Sequence, residues 1–125
     1  MDERIKKLPD SELEVMQAVW DCVPPVSRGE IEQKLADSYP IAQTTLLTLL
    51  SRLTEKGFLT VDKAGRGKSY TPVISRQEYL AAQGNRFFKK LCGGNLATFA
   101  AALCDSGLSK EDLVELRSLL ERGEL

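Results

Sequence analysis

The stretch that most constrains this chain is Ile41 to Gly57, IAQTTLLTLLSRLTEKG. Leu46, Leu49, Leu50 and Leu53 fall on one apolar stripe about 100° wide at helical spacing, which predicts a helix over Ile41 to Lys56 with that face against a core. Gly57 supplies the left-handed stop expected just past a helix C-terminus. On the opposite face Thr44, Thr48 and Ser51 are central, with Leu47 on one flank and Thr45 and Arg52 on the other. Exposed helix faces are usually rich in Lys and Glu, whereas charge arrives here only with Arg52, Glu55 and Lys56. Short hydroxyl side chains let a backbone approach base edges and phosphates, and Thr methyls pack on thymine methyls. Such a face suits a helix that reads DNA; taken alone, it also suits an ordinary solvated surface.

The flanking sequence favours the DNA reading. Asp10 to Cys22 reads as a helix capped by Asp10 or Ser11, with Ser11 and Glu14 as a capping box. Leu13, Met16 and Trp20 share one face with Val19 beside it, and Trp20 is the expected core anchor. Pro24-Pro25 stops this helix. Val26 is extended, then Ser27 caps a second helix with Glu30 three residues on; Ile31 and Leu35 give its apolar face, and it ends near Tyr39-Pro40. Two helices with a tight joint, the second presenting a small polar face, form a helix-turn-helix signature. The period then changes. Phe58 to Lys63 reads as a strand, Ala64 to Lys68 as a glycine-rich turn, and Ser69 to Val73 as a returning strand. A basic hairpin directly after a helix-turn-helix is a wing, and Arg66 and Lys68 at its tip suit a phosphate backbone, although a solvated hairpin loop uses the same residues.

Three further helices follow. Ser75 and Glu78 form a capping box for a helix carrying Tyr79, Leu80, Phe87, Phe88 and Leu91, ended by Gly93-Gly94. Asn95 caps Leu96 to Cys104, nearly all apolar, and Ser109 opens a last helix with Leu113, Leu116, Leu119 and Leu120 on one stripe. With Phe87, Phe88, Leu91, Leu96, Phe99 and Leu103, these helices carry more apolar surface than they can bury alone. They are predicted to pack on a second copy, in a twofold dimer that sets two reading helices roughly 34 Å apart on a pseudo-palindromic site. An intramolecular three-helix cap is the alternative. The expected organisation is mainly α: a winged helix-turn-helix of three helices plus a β-hairpin wing over residues 1–74, and a helical dimerisation domain over 75–125.

Charge supports this division. The net value of −1 conceals a block of six basic and two acidic groups over residues 40–76, flanked by nine acidic and five basic groups over 1–39. A basic reading surface on an otherwise acidic body steers toward phosphates without general stickiness. The chain has no histidine, no glycine-rich phosphate loop and no spaced acid pair, which argues against an enzyme. Cys22, Cys92 and Cys104 are widely separated, so buried free thiols are expected, with no disulfide framework, metal site or cofactor. No run approaches a membrane span and the N-terminus lacks an apolar signal region, which predicts a soluble, cytoplasmic protein.

The sequence resembles the penicillinase-repressor family, also called BlaI/MecI/CopY. The resemblance is carried by Leu13-Glu14-Val15-Met16 through Trp20, by Thr45 to Leu53 with Lys56-Gly57, and by the wing with Tyr70-Thr71-Pro72 and Ser75 to Tyr79. Gly94 and Leu108 to Leu116 complete it. It implies a homodimeric repressor that binds operator DNA until an inducing signal removes it. Two branches of the family show how the chain departs. The β-lactam branch is cut by a membrane sensor-protease system at an Asn-Phe bond, where this chain has Ala101-Ala102; the copper-responsive branch carries a C-x-C cluster, absent here. The inducer and any upstream sensor or protease are therefore left open. Leu47 stands where relatives are often basic, which predicts a different operator preference or a thymine-methyl contact. The residues expected on DNA are Gln43, Thr44, Thr45, Leu47, Thr48 and Ser51 at bases and nearby phosphates, with Arg52, Lys63, Arg66, Lys68, Ser27 and Arg28 on the backbone. A winged helix that binds only protein is the rival reading.

Overall fold

The computed structural model describes residues 5–63, 65 and 67–123. Helix α1 (Asp10–Trp20) starts directly after Pro9, whose carbonyl accepts from the Leu13 amide at 2.9 Å. Pro9 itself occupies the cap position at φ −57° and ψ 155°, and no side chain caps the helix. The expected cap at Asp10 or Ser11 is thus not formed, because the fixed φ of proline starts the helix one residue earlier and places Ser11 inside its first turn. Strand β1 (Val26–Ser27) leads into α2 (Arg28–Ser38) through a complete capping box: Ser27 Oγ accepts from the Glu30 amide and Glu30 Oε1 accepts from the Ser27 amide, both at 3.2 Å.

Helix α3 (Gln43–Glu55) buries Leu46, Leu49, Leu50 and Leu53, the whole of the apolar stripe. It ends in a Schellman turn: Gly57 takes φ +83°, and the Phe58 amide donates to the Leu53 carbonyl at 2.9 Å, which satisfies an orphan carbonyl and reverses the chain. Phe58, almost fully buried, is thereby delivered into the core. Strands β2 (Leu59–Asp62) and β3 (Ser69–Pro72) pair antiparallel with Leu59 opposite Pro72 and Asp62 opposite Ser69. On the other edge of β3, Val26 pairs with Tyr70 and Ser27 with Ser69, giving a three-stranded sheet in the order β1-β3-β2. The start of α2 is thus tied directly to the returning arm of the wing.

One core unites these elements. Val15, Met16 and Val19 from α1, Ile31 and Leu35 from α2, the α3 stripe, Phe58, Leu59 and Tyr70 are all buried. Trp20 is not the anchor expected: it is half-buried at the rim, where its Nε1–H donates to the Ile74 carbonyl at 3.0 Å, its ring lies 5.8 Å from that of Tyr79, and the Arg76 guanidinium sits 5.6 Å above it. The indole N–H explains this placement, since it needs a polar partner that the leucine-filled interior does not offer.

Helix α4 (Arg76–Arg86) opens with the expected capping box, the Ser75 amide donating to Glu78 Oε1 at 2.9 Å and Ser75 Oγ accepting from the Glu78 amide at 3.0 Å. Its first half belongs to the same core: Tyr79 and Ala82 are buried, and Tyr79 Oη accepts from the Leu8 amide at 2.9 Å. The chain accordingly divides into two compact units between Gln83 and Gly84, later than the 74/75 boundary expected from the sequence. In the second unit α4 gives way to a π-helical turn, Phe87–Leu91, followed by α5 (Leu96–Cys104) and α6 (Lys110–Arg122). Asn95 Oδ1 caps α5 as predicted, and Ser109, the predicted start of the last helix, forms a capping box with Asp112. The rings of Phe87 and Phe88 lie 5.8 and 5.4 Å from that of Phe99. All three cysteines are free, but only Cys92 is buried; Cys22 is half-buried and Cys104 exposed. No described helix is long and apolar enough to cross a membrane.

Candidate functional site

The outward face of α3 is intact. Gln43, Thr44, Thr45, Thr48, Ser51 and Arg52 are exposed, and Leu47 keeps 37% of its surface open among them. Thr48 Oγ1 donates to the Thr44 carbonyl at 3.1 Å, so this hydroxyl turns acceptor lone pairs rather than its proton outward. Gln43 lines a separate hollow with Pro40, Ile41 and Leu46, toward the joint between α2 and α3.

A concavity of about 530 Å³ lies beside this face. Ser27 and Arg28 reach it from the start of α2, Leu47 from α3, and Lys68 from the wing. The structure therefore gathers four of the expected residues, from three elements, on one surface. Gly29, Gly67 and Tyr70 also line it, and sequence reasoning missed all three. Gly29 carried a signal, since a glycine in the first turn of a helix costs stability unless the backbone must be approached closely; a Cβ there would touch only Ser27 Oγ, at 3.9 Å. Lys63 is exposed at the end of the other wing arm and does not line the concavity. Arg66 lies outside the described residues.

The basic block is smaller than its formal charge. Lys56 forms an ion pair with the nearly buried Glu12 carboxylate, joining the end of α3 to the start of α1. Arg76 is held by Asp21 at 2.8 Å, by Gln17 and by the Trp20 ring. Both side chains are structural. Arg52, Lys63 and Lys68 remain exposed, and Arg28 is paired with Glu32 at 3.1 Å on its own helix. Burial pushes the Tyr70 hydroxyl above its ordinary pKa, with the nearby Arg28 charge pulling partly the other way. Among the described residues no group of three or more His, Cys, Asp or Glu side chains could hold a metal ion.

The α2–α3 pair, the wing and the small-hydroxyl face between them define a winged helix-turn-helix protein. A model of the penicillinase-repressor family matches residues 8–122, and the chain belongs to that family. It is 30% identical to the penicillinase repressor of Bacillus licheniformis over 95% of this chain and 93% of the relative. It is 35% identical to an uncharacterized 16.5 kDa protein in the ptsI 3′ region of Latilactobacillus sakei, over 96% of this chain and 82% of that one. Its fold matches the solution structure of monomeric B. licheniformis BlaI in complex with the blaP half-operator, with a TM-score of 0.50 and 35% identity, covering 60% of this chain and 90% of that one.

Proposed function

We propose that this chain is a cytoplasmic, homodimeric transcriptional repressor that binds a pseudo-palindromic operator, inserting α3 in the major groove and laying the wing along the backbone. The observation that carries the reading is the α3 face itself: a helix held rigidly by four buried leucines presents Thr44, Thr48 and Ser51 outward, beside a concavity that joins Arg28 to Lys68. Gln43, Thr45 and Leu47 complete the base-reading set, and Arg52, Lys63, Arg66 and Ser27 the backbone set. The match to a relative described as bound to a half-operator supports the same reading.

The second unit supports a dimer. None of the described residues of α5 or α6 is buried, and Leu91 and Leu96 expose more than 70% of their surface, at 75% and 72%. Phe87, Phe88, Phe99, Leu103, Leu113, Leu116, Leu119 and Leu120 line the remainder of this apolar set. Surface of this kind calls for a partner, and a second copy under twofold symmetry is the usual one.

The test is selection from a random duplex pool with purified protein at two salt concentrations, with the oligomeric state measured alongside. A short palindrome bound by a dimer, with log affinity falling by about 0.9 per neutralised phosphate for each tenfold rise in salt, is the expected result. A stable dimer that enriches no sequence would make this a protein-interaction module instead.

A further inference from the structure

Tyr70 and Tyr79 are both 4% exposed, yet their hydroxyls are treated differently by the fold. Tyr79 Oη accepts a hydrogen bond from the Leu8 amide. The Tyr70 hydroxyl has no hydrogen-bond partner among the described residues, and the side chain lines the concavity between α2, α3 and the wing. The ring is buried, but the oxygen is not among the buried side-chain atoms left without a partner, so the hydroxyl is open to pair with a group that enters the concavity. Its surroundings indicate what would pair with it. Lys68 and Arg28 bring positive charge to the same concavity. The α2 N-terminus adds first-turn amides that have no partner within their own helix. The capping box takes the Glu30 amide, while Gly29 leaves its backbone open to approach, with no side chain in the way. Burial keeps the Tyr70 proton on its oxygen, so the group faces a partner as a donor. Donors and cations converging on a concave surface suit an anion.

We propose that Tyr70 is the base of a phosphate-binding notch in which its hydroxyl, the Gly29 end of α2 and Lys68 hold one backbone phosphate of the operator, fixing the depth to which α3 enters the groove. The proposal rests on the DNA reading for the source of the phosphate, but the notch recognises a phosphate oxygen whatever carries it. Tying α2 to the wing through β1 and β3 gives the site its rigidity, since Tyr70 is paired with Val26 in the residue before the Ser27 cap.

The experiment uses the full chain and two probes, inorganic phosphate and the selected operator duplex, with chloride at matched ionic strength as control. Phosphate is expected to shift the amide resonances of Gly29 and Lys68 and the ring resonances of Tyr70, and Tyr70→Phe should abolish those shifts without changing the melting temperature. On DNA, Tyr70→Phe should weaken operator and random duplex alike by about tenfold, the usual size for a hydrogen bond to a charged group. The salt slope should stay unchanged because a neutral hydroxyl releases no counterion, whereas Lys68→Gln should lower it by about one. Wild-type behaviour of Tyr70→Phe toward both probes would overturn the notch and leave the DNA reading standing. Loss of affinity for the operator alone would also overturn it, since that is the mark of a base contact. Phosphate shifts in a protein that binds no duplex would sink the DNA reading and keep the notch.

Discussion

Glu12 is a carboxylate with 3% of its side chain exposed, and the Lys56 ammonium paired with it makes its burial tolerable. Removing one member of such a pair strands the other in a poorly solvated place, which is more damaging than removing both. Lys56 is 37% exposed and can turn to water, so Glu12→Ala leaves a charge that finds solvent, whereas Lys56→Met strands the Glu12 carboxylate. The expected loss is about 1–3 kcal/mol for Lys56→Met, with a smaller loss for Glu12→Ala, both read from urea unfolding midpoints. Cys22 and Tyr70 make a second residue-scale expectation. Burial raises the thiol above its ordinary 9.0 and the phenol above 10.0. The folded chain then keeps both protons to higher pH than the unfolded chain does. Their stabilisation is complete below the unfolded values and is lost as pH rises through the folded ones. Melting temperature should therefore fall from about pH 9 upward, and the earlier part of that fall should shrink in Cys22→Ala; a flat alkaline profile would count against it.

At the scale of the element, α3 performs two tasks on opposite faces, and substitutions should separate them. Leu50→Ala, at a fully buried position, should cost about 2–5 kcal/mol of stability. Ser51→Ala, on the exposed face, should stay within about 0.5 kcal/mol in stability yet lose about 1–3 kcal/mol of operator binding, measured by fluorescence anisotropy on the selected duplex. A Ser51→Ala protein that binds as well as the parent would remove that residue from the reading face. The two faces of α3 were legible in the sequence because both follow from local periodicity, and the Gly57 turn and the boxes at Ser27 and Ser75 were legible because their partners lie three residues away. What escaped was non-local. Glu12 and Lys56 lie far apart in the chain, as do Val26 and Tyr70, and no period links them. Tyr70 belongs to a strand that reads as ordinary wing, and only the β1 pairing turns it toward the start of α2. Arg76 counted as part of the basic block until Asp21, Gln17 and Trp20 were seen to hold it. The cap at Pro9 failed for the opposite reason: two adjacent signals competed, and backbone restriction by proline outweighed a side-chain box.

At the scale of the whole molecule, the proposed dimer makes operator binding a linked event. Each winged helix contacts only a half-site, so tight binding to a full site depends on the second head finding its half-site from a tethered position. Linkage of this kind commonly multiplies affinity by about 10²–10⁴ without any new contact. Leu96 and Leu120 are the positions at which to break it, because both are already largely open to solvent within one chain, and a charge there should leave the fold of each unit unchanged. Leu96→Glu with Leu120→Glu places like charges on a surface that the dimer would have to desiccate, which neither copy can neutralise. The double variant should sediment as a monomer, keep the parent affinity for a half-operator duplex, and lose about 10²-fold or more on the full operator. The half-operator control separates this outcome from damage to the reading head. A monomeric variant with undiminished affinity for the full site would mean that one head supplies the whole of the binding, and the apolar faces of α5 and α6 would then need another partner.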